Sequence, residues 1–415
     1  MTQSTSLPTA ERLPTLDILR GFALMGILIM NMPGFSSSFF AEADGSYLWA
    51  HPVDRAAEQV REALFSGKFN SMFSLLFGVG FTIQYARMHE RDPAHATALY
   101  LRRLLALLAF GVIHALLFWP GDVLHNYALL GIVLVLGLRH VSDRGLVALI
   151  GACLVYPAVS GLARLAVITP AITAERVRIA QAFEASNHAA FGAGNYLDMV
   201  RENTRMMVHF YTDWLNLWGT AGWYVMLGMT MLVGVLAGRR RWVQRAGELM
   251  PQIRRLMWWA LAIGLACGAA FALIFELNRA PGPSPIKLLG SICYSLSRVA
   301  MMCFYVLLIV RAAESARGRR WLAPWQAAGR LPLTNYLMQT AICLVLFQHW
   351  GFGLWMKVGP AWGLVLSLAI FFVIQVPWSL WWLQRHERGP LEALWAWLTY
   401  GGAAARAAPG TVRQA

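Results

Sequence analysis

Asp17 and Arg20 stand three residues apart near the start of the apolar run RLPTLDILRGFALMGILIMNMPGF (12–35), and Asn31 follows eleven residues after Arg20. A guanidinium steadied by a carboxylate is suited to hold a phosphate or carboxylate through charge-assisted hydrogen bonds. His114 and Asp122, within HALLFWPGDVLHNY, supply an imidazole and a carboxylate. That is the composition of a general base and the group that orients it. His349 closes another apolar run and is a substitute base, while Asn31 and Lys68 have the chemistry to stabilise an oxyanion. Each residue also has a plainer reading. His114 fits a satisfied core histidine, Asp122 a cap for the helix that follows, and Asp17–Arg20 an orientation-fixing ion pair. Asn335 and Gln339, on one face with His349, fit hydrogen-bond partners between helices.

The elements that would position these groups are long apolar helices. Of 415 residues, 58% are hydrophobic and 13% charged, with a mean hydropathy of +0.50. The charged share is about half that of a soluble domain. Ten segments read as membrane spans: 16–33, 69–87, 101–119, 123–138, 145–168, 214–237, 256–277, 286–310, 331–350 and 359–384. In the first, steps of three and four put Asp17, Arg20, Leu24, Ile27 and Asn31 on one face. Arg20 and Asn31 are then about 16 Å apart along the axis, roughly half a bilayer core. A polar stripe in a lipid-length helix needs protein or water facing it.

Charge sets the orientation. Alternating the loops between sides puts twenty-three Lys and Arg with the N-terminus and eleven opposite, leaving Arg298 inside the eighth span. Both termini then face the cytoplasm. The net charge of +14 is accounted for by these loop clusters, which meet anionic headgroups, so no nucleic-acid partner is expected. Residues 1–15 read as a cytoplasmic tail without the pattern of a cleavable signal. Two outer segments are long: 34–68, ending in the amphipathic VDRAAEQVREALFSGKF, and 169–213, a lid, binding element or disordered stretch. The stretch 311–330, with WLAPWQ, reads as an interfacial turn. Residues 385–400 read as a helix on the inner leaflet with Leu391, Leu394, Trp395 and Leu398 on one face, and 401–415 as a flexible tail. Gly78 and Gly80 of FGVG read as small-residue helix packing. The five Cys lie in apolar spans without ligand spacing, so neither zinc nor disulfides are expected.

Five segments together resemble the YeiB-like family, a bacterial inner-membrane group of uncharacterised function: LDILRGFALMGILIMN (16–31), SGKFNSMFSLLFGVGF (66–81), LRRLLALLAFGVIHALLFWPGDVLHNYALLG (101–131), GRLPLTNYLMQT (329–340) and RGPLEALW (388–395). The family looks related to transmembrane acyltransferases that begin with a similar Asp-x-x-Arg-Gly helix, the acyltransferase-3 group and heparan-alpha-glucosaminide N-acetyltransferase. The resemblance implies an acyl-CoA bound from the cytoplasm near the first helix and an acyl group delivered to an acceptor outside. The acyltransferase-3 pattern has His eleven residues after the Arg, where this chain has Asn31. Asn cannot act as a general base, so that role does not carry over. The heparan enzyme is similar in having Asn there and its essential His in the next outer loop, where this chain has His51. Family members commonly place Arg directly after LW of the PLE-x-LW motif, where this chain has Ala396.

The expectation is therefore an all-α polytopic helical bundle over 16–384 in the bacterial inner membrane. It would be acyltransferase-like, taking an acyl group from acyl-CoA to a small-molecule, lipid or glycan acceptor. Asp17 and Arg20 would hold the donor, and His114 with Asp122 would activate the acceptor. His349 or His51 would be substitute bases, and Asn31 or Lys68 would face the oxyanion. Both chemistries would stand at the rims of one cavity crossing the fold. Membrane lipids are expected partners, and a homo-oligomer is compatible with the reading. A permease for a small polar solute or lipid-linked precursor, with His and Asp as proton carriers, is the rival. A non-catalytic membrane sensor is the third reading.

Overall fold

In the computed structural model, residues 13–401 are described, apart from the side chains of 214–218. The expected N-terminal tail and the tail 401–415 lie almost wholly outside the described residues. All regular structure among the described residues is helical. In chain order the helices are α1 (Pro14–Ser36), α2 (Pro52–Leu64), α3 (Lys68–Arg91), α4 (Ala96–Leu117), α5 (Leu124–Leu138), α6 (Asp143–Val167), α7 (Pro170–Gly192) and α8 (Tyr196–Thr212). They continue as α9 (Trp214–Arg239), α10 (Met250–Leu277), α11 (Pro285–Ala313), α12 (Ala316–Gly329), α13 (Pro332–Phe347), α14 (Pro360–Leu383) and α15 (Pro390–Tyr400).

Each segment expected to span the bilayer falls on one of these helices. Seven of them, α1, α4, α6, α9, α10, α11 and α14, are long and apolar enough to cross a membrane, and α5 and α13 are shorter apolar helices. The protein is a polytopic helical membrane protein. Burial sorts the helices by position. In α1, 72% of the apolar window is buried, against 6% in α6 and 11% in α10, so α1 runs through the middle and the other two face lipid. Pro14 starts α1 at a position where the missing N–H costs nothing, and Asp17 in its first turn suits the positive end of the helix.

The centre of the bundle is set by close backbone crossings. A Cβ on Gly21 would stand 1.8 Å from the Trp325 carbonyl oxygen, and one on Gly329 equally close to that of Asp17, so α1 and α12 meet backbone to backbone. The stretch 311–330 is thus a helix and not the expected interfacial turn: Ser315 caps it by accepting the Gly318 N–H at 3.0 Å, and Gly329 lets it dock on α1. Of the FGVG pair, Gly78 faces Met231 of α9, where a Cβ would lie 2.1 Å from a carbonyl oxygen. Gly80 meets nothing within 4 Å and lines a cavity, so only half of that packing reading holds.

Two helices begin inside the bundle and not at its surface. The Gly67 N–H, just before α3, points at Met30 Sδ at 3.2 Å, and the Tyr127 hydroxyl of α5 donates to the Asn70 carbonyl at 2.9 Å. The first turns of α3 and α5 therefore lie level with the middle and upper part of α1. The segment 169–213 is ordered as α7 and α8, which cover the end where α1 finishes. Ser38 donates to Asn187 at 2.9 Å, and Asn187 donates to Glu202 at 2.8 Å, so a buried polar chain ties this cap to the loop after α1.

Gly21→Ala is expected to lower the thermal midpoint of the purified protein, with overpacking costing about 1–3 kcal/mol. Gly80→Ala should leave it unchanged or raise it slightly, since Ala suits a helix interior better by roughly 1 kcal/mol. Melting both variants in one detergent checks the pair.

Candidate functional site

At the end of the bundle where α1 starts, a cavity of about 670 Å³ opens between α1, α3, α4, α5, α13 and α15. Arg20, Arg87, Arg91, Arg103, Arg330 and Arg388 line it, against the acids Asp92, Glu387 and Glu392. Asp17 is buried and accepts from Arg20 Nη1 at 2.9 Å, while the Arg20 side chain keeps 26% of its surface exposed. The pair thus has one anchored member and one that reaches the cavity, as a ligand-holding guanidinium needs. At the mouth, hydrogen bonding from His95 holds the Asp92 carboxyl below its ordinary pKa.

The C-terminal helix builds the wall of this cavity. Glu392 accepts the backbone N–H groups of Leu333 at 2.7 Å and Thr334 at 3.1 Å, plus the Thr334 hydroxyl at 2.5 Å. It satisfies the orphan donors at the start of α13 with a charge of the right sign. The Arg103 guanidinium stacks 3.5 Å over the Trp395 ring, and Trp395 Nε1 donates to the Arg103 carbonyl at 2.9 Å. The buried face of α15 carries Ala396 and Thr399, whereas Leu394 is exposed. Of the face expected to be apolar, Trp395 packs into this wall, and Leu391 and Leu398 are half-buried. Ala396 lines the cavity, so the residue that departs from the family pattern removes a cation from its wall.

The cavity ends against Val123, Tyr127 and Tyr336. Directly behind them lies the His114–Asp122 pair, joined by Nδ1···Oδ1 at 2.7 Å, with His114 2% and Asp122 3% exposed. The structure adds a second imidazole: His125 Nδ1 lies 2.7 Å from Asp122 Oδ2, and the His125 backbone N–H donates to the same oxygen at 2.9 Å. Asp122 thus caps the start of α5 and at the same time holds the His114 ring by a hydrogen bond. With Asp122 ionised, each ring presents its Nδ1–H to it and keeps Nε2 as an acceptor. His114 Nε2 then receives the Thr340 hydroxyl at 2.9 Å, and His125 Nε2 the Tyr211 hydroxyl at 2.6 Å. Tyr211 lies 3.2 Å from the Tyr224 hydroxyl and is exposed, so the relay runs from the bundle interior to its surface. Both rings turn Nδ1 to one carboxylate and Nε2 to a hydroxyl, which makes one continuous hydrogen-bonded chain.

Depth differs from expectation. Gln339 Nε2 donates to the Leu24 carbonyl at 3.1 Å, so its neighbour Thr340, and His114 with it, stand near the middle of α1 and not at its far end. Asn335 and Gln339 take the plainer role: with Gln375, in a π-helical turn of α14, they tie α1, α13 and α14 together.

The remaining candidates fall elsewhere. His349 is exposed in the turn after α13, its N–H bonded to the Phe191 carbonyl at 3.0 Å. His51 is exposed and caps α2, accepting the Val53 N–H at 3.3 Å. Asn31 is buried and is not among the residues lining the cavities. Lys68 is fully buried and donates to the Glu62 carbonyl at 2.6 Å, beside Tyr294 and away from His114. Its neighbours Gly67 and Tyr294 line a second cavity of about 430 Å³ at the opposite end, with Arg61 and Trp223 among others. A single cavity does not cross the fold. Two cavities approach each other across the first turn of α3, with Phe69 and Met72 in the packed core between them. His125, three residues after Asp122, was visible in the sequence as an i, i+3 neighbour; Thr340 and Tyr211 carried no local signal.

Residues 237–402 match DUF418, a family described as a protein of unknown function. The chain is similar to the uncharacterised protein YxaH of Bacillus subtilis (strain 168), 30% identical over 408 residues, which cover 94% of this chain and 95% of the relative. An uncharacterised 39.9 kDa protein in the amylase 3' region of Bacillus acidopullulyticus is 29% identical over 395 residues, 94% of each chain. The uncharacterised protein YeiB of Escherichia coli (strain K12) is 28% identical over 404 residues, 94% of this chain and 96% of the relative. No solved structure matches the chain. Similarity that covers 94% of this chain and 95% of YxaH carries the conclusion: this protein belongs to the DUF418 family, with YxaH and YeiB among its homologues.

Proposed function

We propose that this protein is a membrane-embedded acyltransferase-like enzyme of the bacterial inner membrane, with ten spans and both termini in the cytoplasm. The observation that carries the reading is an arginine-rich cavity whose closed end abuts a buried His–Asp pair. The arginine-lined mouth suits the phosphates of an acyl-CoA donor entering from the cytoplasm, and the aromatic interior suits its acyl arm. Arg20, steadied by Asp17, would grip a donor phosphate. His114 would take the proton of an acceptor hydroxyl or amine as that atom bonds to the thioester carbon. The carbon–sulfur bond then breaks, and the leaving thiolate recovers the proton from the imidazolium. The Thr340 hydroxyl on Nε2 marks where an acceptor hydroxyl would sit. Asn31 and Lys68 do not line the donor cavity, and Tyr336, with its hydroxyl at the closed end, is the better placed oxyanion donor. The acceptor, a small molecule, lipid or glycan, would arrive through the opposite cavity.

Two cavities facing opposite ends across a thin septum also suit a permease working by alternating access. The readings separate cleanly in the laboratory. A transferase moves label from acyl-CoA in detergent. A permease moves solute only in sealed vesicles and responds to a proton gradient.

Arg20→Gln should weaken acyl-CoA binding about tenfold, the loss of roughly 1.4 kcal/mol, read by calorimetry on purified protein. His114→Ala should leave that binding intact and reduce acyl transfer at least a hundredfold, the usual scale of a general base. Unchanged transfer in the His114 variant removes it from the mechanism, and no acyl-CoA binding in the native protein overturns the enzyme reading.

A further inference from the structure

Behind Gly67, Trp223 and Tyr294, which line the floor of the opposite-end cavity, lie two buried cations that the donor and relay leave unexplained. Lys68 is fully buried and Arg298, midway along α11, is 3% exposed. Among the described residues neither makes an ion pair with a carboxylate: Glu58 and Glu62 both bond Arg61, so three cations meet two acids here and one positive charge is in excess. Arg298 Nε donates to Ser71 Oγ at 2.6 Å and its guanidinium lies 5.2 Å from the centre of the Trp223 ring, but its Nη2 is buried without a hydrogen-bond partner. Lys68 Nζ stands 5.5 Å from the centre of the Tyr294 ring. Gly67 leaves room for this arrangement. A Cβ there would lie 2.5 Å from the Tyr294 hydroxyl and 3.1 Å from Arg298 Cδ, so both side chains close on its bare backbone. Gly67, Trp223 and Tyr294 all line the cavity. α3 begins at Gly67 with no side-chain cap, which adds the positive end of a helix to the same place.

A cation in excess inside a bundle is expensive, and a buried guanidinium N–H without a partner adds its own desolvation cost. The mouth of the cavity, in contrast, is balanced: Arg55 pairs with Glu276, and Arg279 with Glu42. Positive charge in excess is confined to the floor.

We propose that this floor is an anion site, taking the phosphate group of a molecule that enters from the end opposite the donor cavity. Arg298 Nη2 and Lys68 Nζ supply the donors, and Tyr294 and Trp223 form the walls. The same phosphate chemistry could belong to a free anion or to a lipid headgroup, and the two are separated by experiment. The site stands on its own geometry and is tested by binding alone. Its failure leaves the acyl-transfer reading untouched, and the reverse also holds.

The full-length protein in neutral detergent is melted against increasing inorganic phosphate and, separately, short-chain phosphatidic acid, with phosphatidylcholine and chloride of equal ionic strength as references. A saturable rise in thermal midpoint with either probe, beyond its reference, is expected. A rise with inorganic phosphate identifies a free anion, and a rise with phosphatidic acid alone identifies a lipid headgroup. Arg298→Met should raise the half-saturating concentration at least tenfold, and Lys68→Gln should do the same if the first variant does not fold. Arg178→Gln, on the exposed face of α7, should behave as the native protein. No rise in the native protein with either probe, or an equal response in both floor variants, overturns the site.

Discussion

A carboxylate buried in a membrane bundle has to be hydrogen-bonded from within, and Asp122 is where the architecture meets that demand. Water cannot reach it to share the charge, and an uncompensated carboxylate there would cost several kcal/mol. Its two oxygens therefore collect the Nδ1–H groups of His114 and His125 and the His125 backbone N–H in the first turn of α5. Those donors come from α4 and α5. Through Thr340 and Tyr211, the far nitrogens of the same rings bind α13 and α8. One charge thus fixes the relative placement of four helices. It also explains why α5 is short: the chain must turn back into the bundle before residue 122 for the carboxylate to sit between two imidazoles.

The two cavities follow from a second constraint, the early start of α3. A helix that began at the surface would fill the space that α2 and the loop 65–67 leave open. Because α3 begins at Lys68, level with the upper half of α1, the opposite-end cavity reaches down to Gly67, and Tyr127 of α5 meets Asn70 just below. The core beneath is held by backbone crossings with no side chain to spare, at Gly21 against Trp325 and at Gly78 against Met231. Such contacts resist sliding, so α1, α3, α9 and α12 form the rigid part against which the cavities are cut. The caps serve that frame. Glu392 closes the start of α13 from the C-terminal helix, and the Ser38–Asn187–Glu202 chain anchors α7 and α8 over the far end.

Much of this was legible in the sequence, because its signals are local. Lipid-length apolar runs mark the helices, and the Asp17–Arg20 and His114–Asp122 pairs are close enough in the chain for one helix or one turn to join them. The sequence also showed Glu392 within a Pro-Leu-Glu start, but which helix it caps depends on docking between segments 58 residues apart. Thr340, and the partner of the intramembrane Arg298, were illegible for the same reason. A threonine in an apolar helix has no periodic signature, and the match of Arg298 to Ser71 joins residues 227 apart. Depth was misjudged for His114 because a span was assumed to start at the surface, and α5 does not. The 311–330 stretch looked like a turn because Pro324 and its flanking Trp residues suggested an interface, whereas packing against Gly21 rewards a helix there.

The closed end of the donor-side cavity raises the question of which part would yield if the cavity and the relay were to meet. The hydrogen bonds within the relay are short, 2.7 Å from each imidazole to Asp122 and 2.6 Å from His125 to Tyr211, and those at Asp122 involve a charged partner. Tyr336, which stands between relay and cavity, is held by longer ones: its hydroxyl accepts the Val123 N–H at 3.3 Å and lies 3.5 Å from Asp122 Oδ1. Hydrogen bonds weaken with such lengthening, and a neutral phenol loses less on leaving than an imidazole that compensates a buried charge. Rotation of Tyr336 would leave Asp122 with both imidazoles, whereas movement of His114 or His125 would strip it of a compensating donor. The wall between this cavity and the His–Asp network is therefore weakest at one aromatic side chain, and the network behind it can remain fixed while that side chain moves.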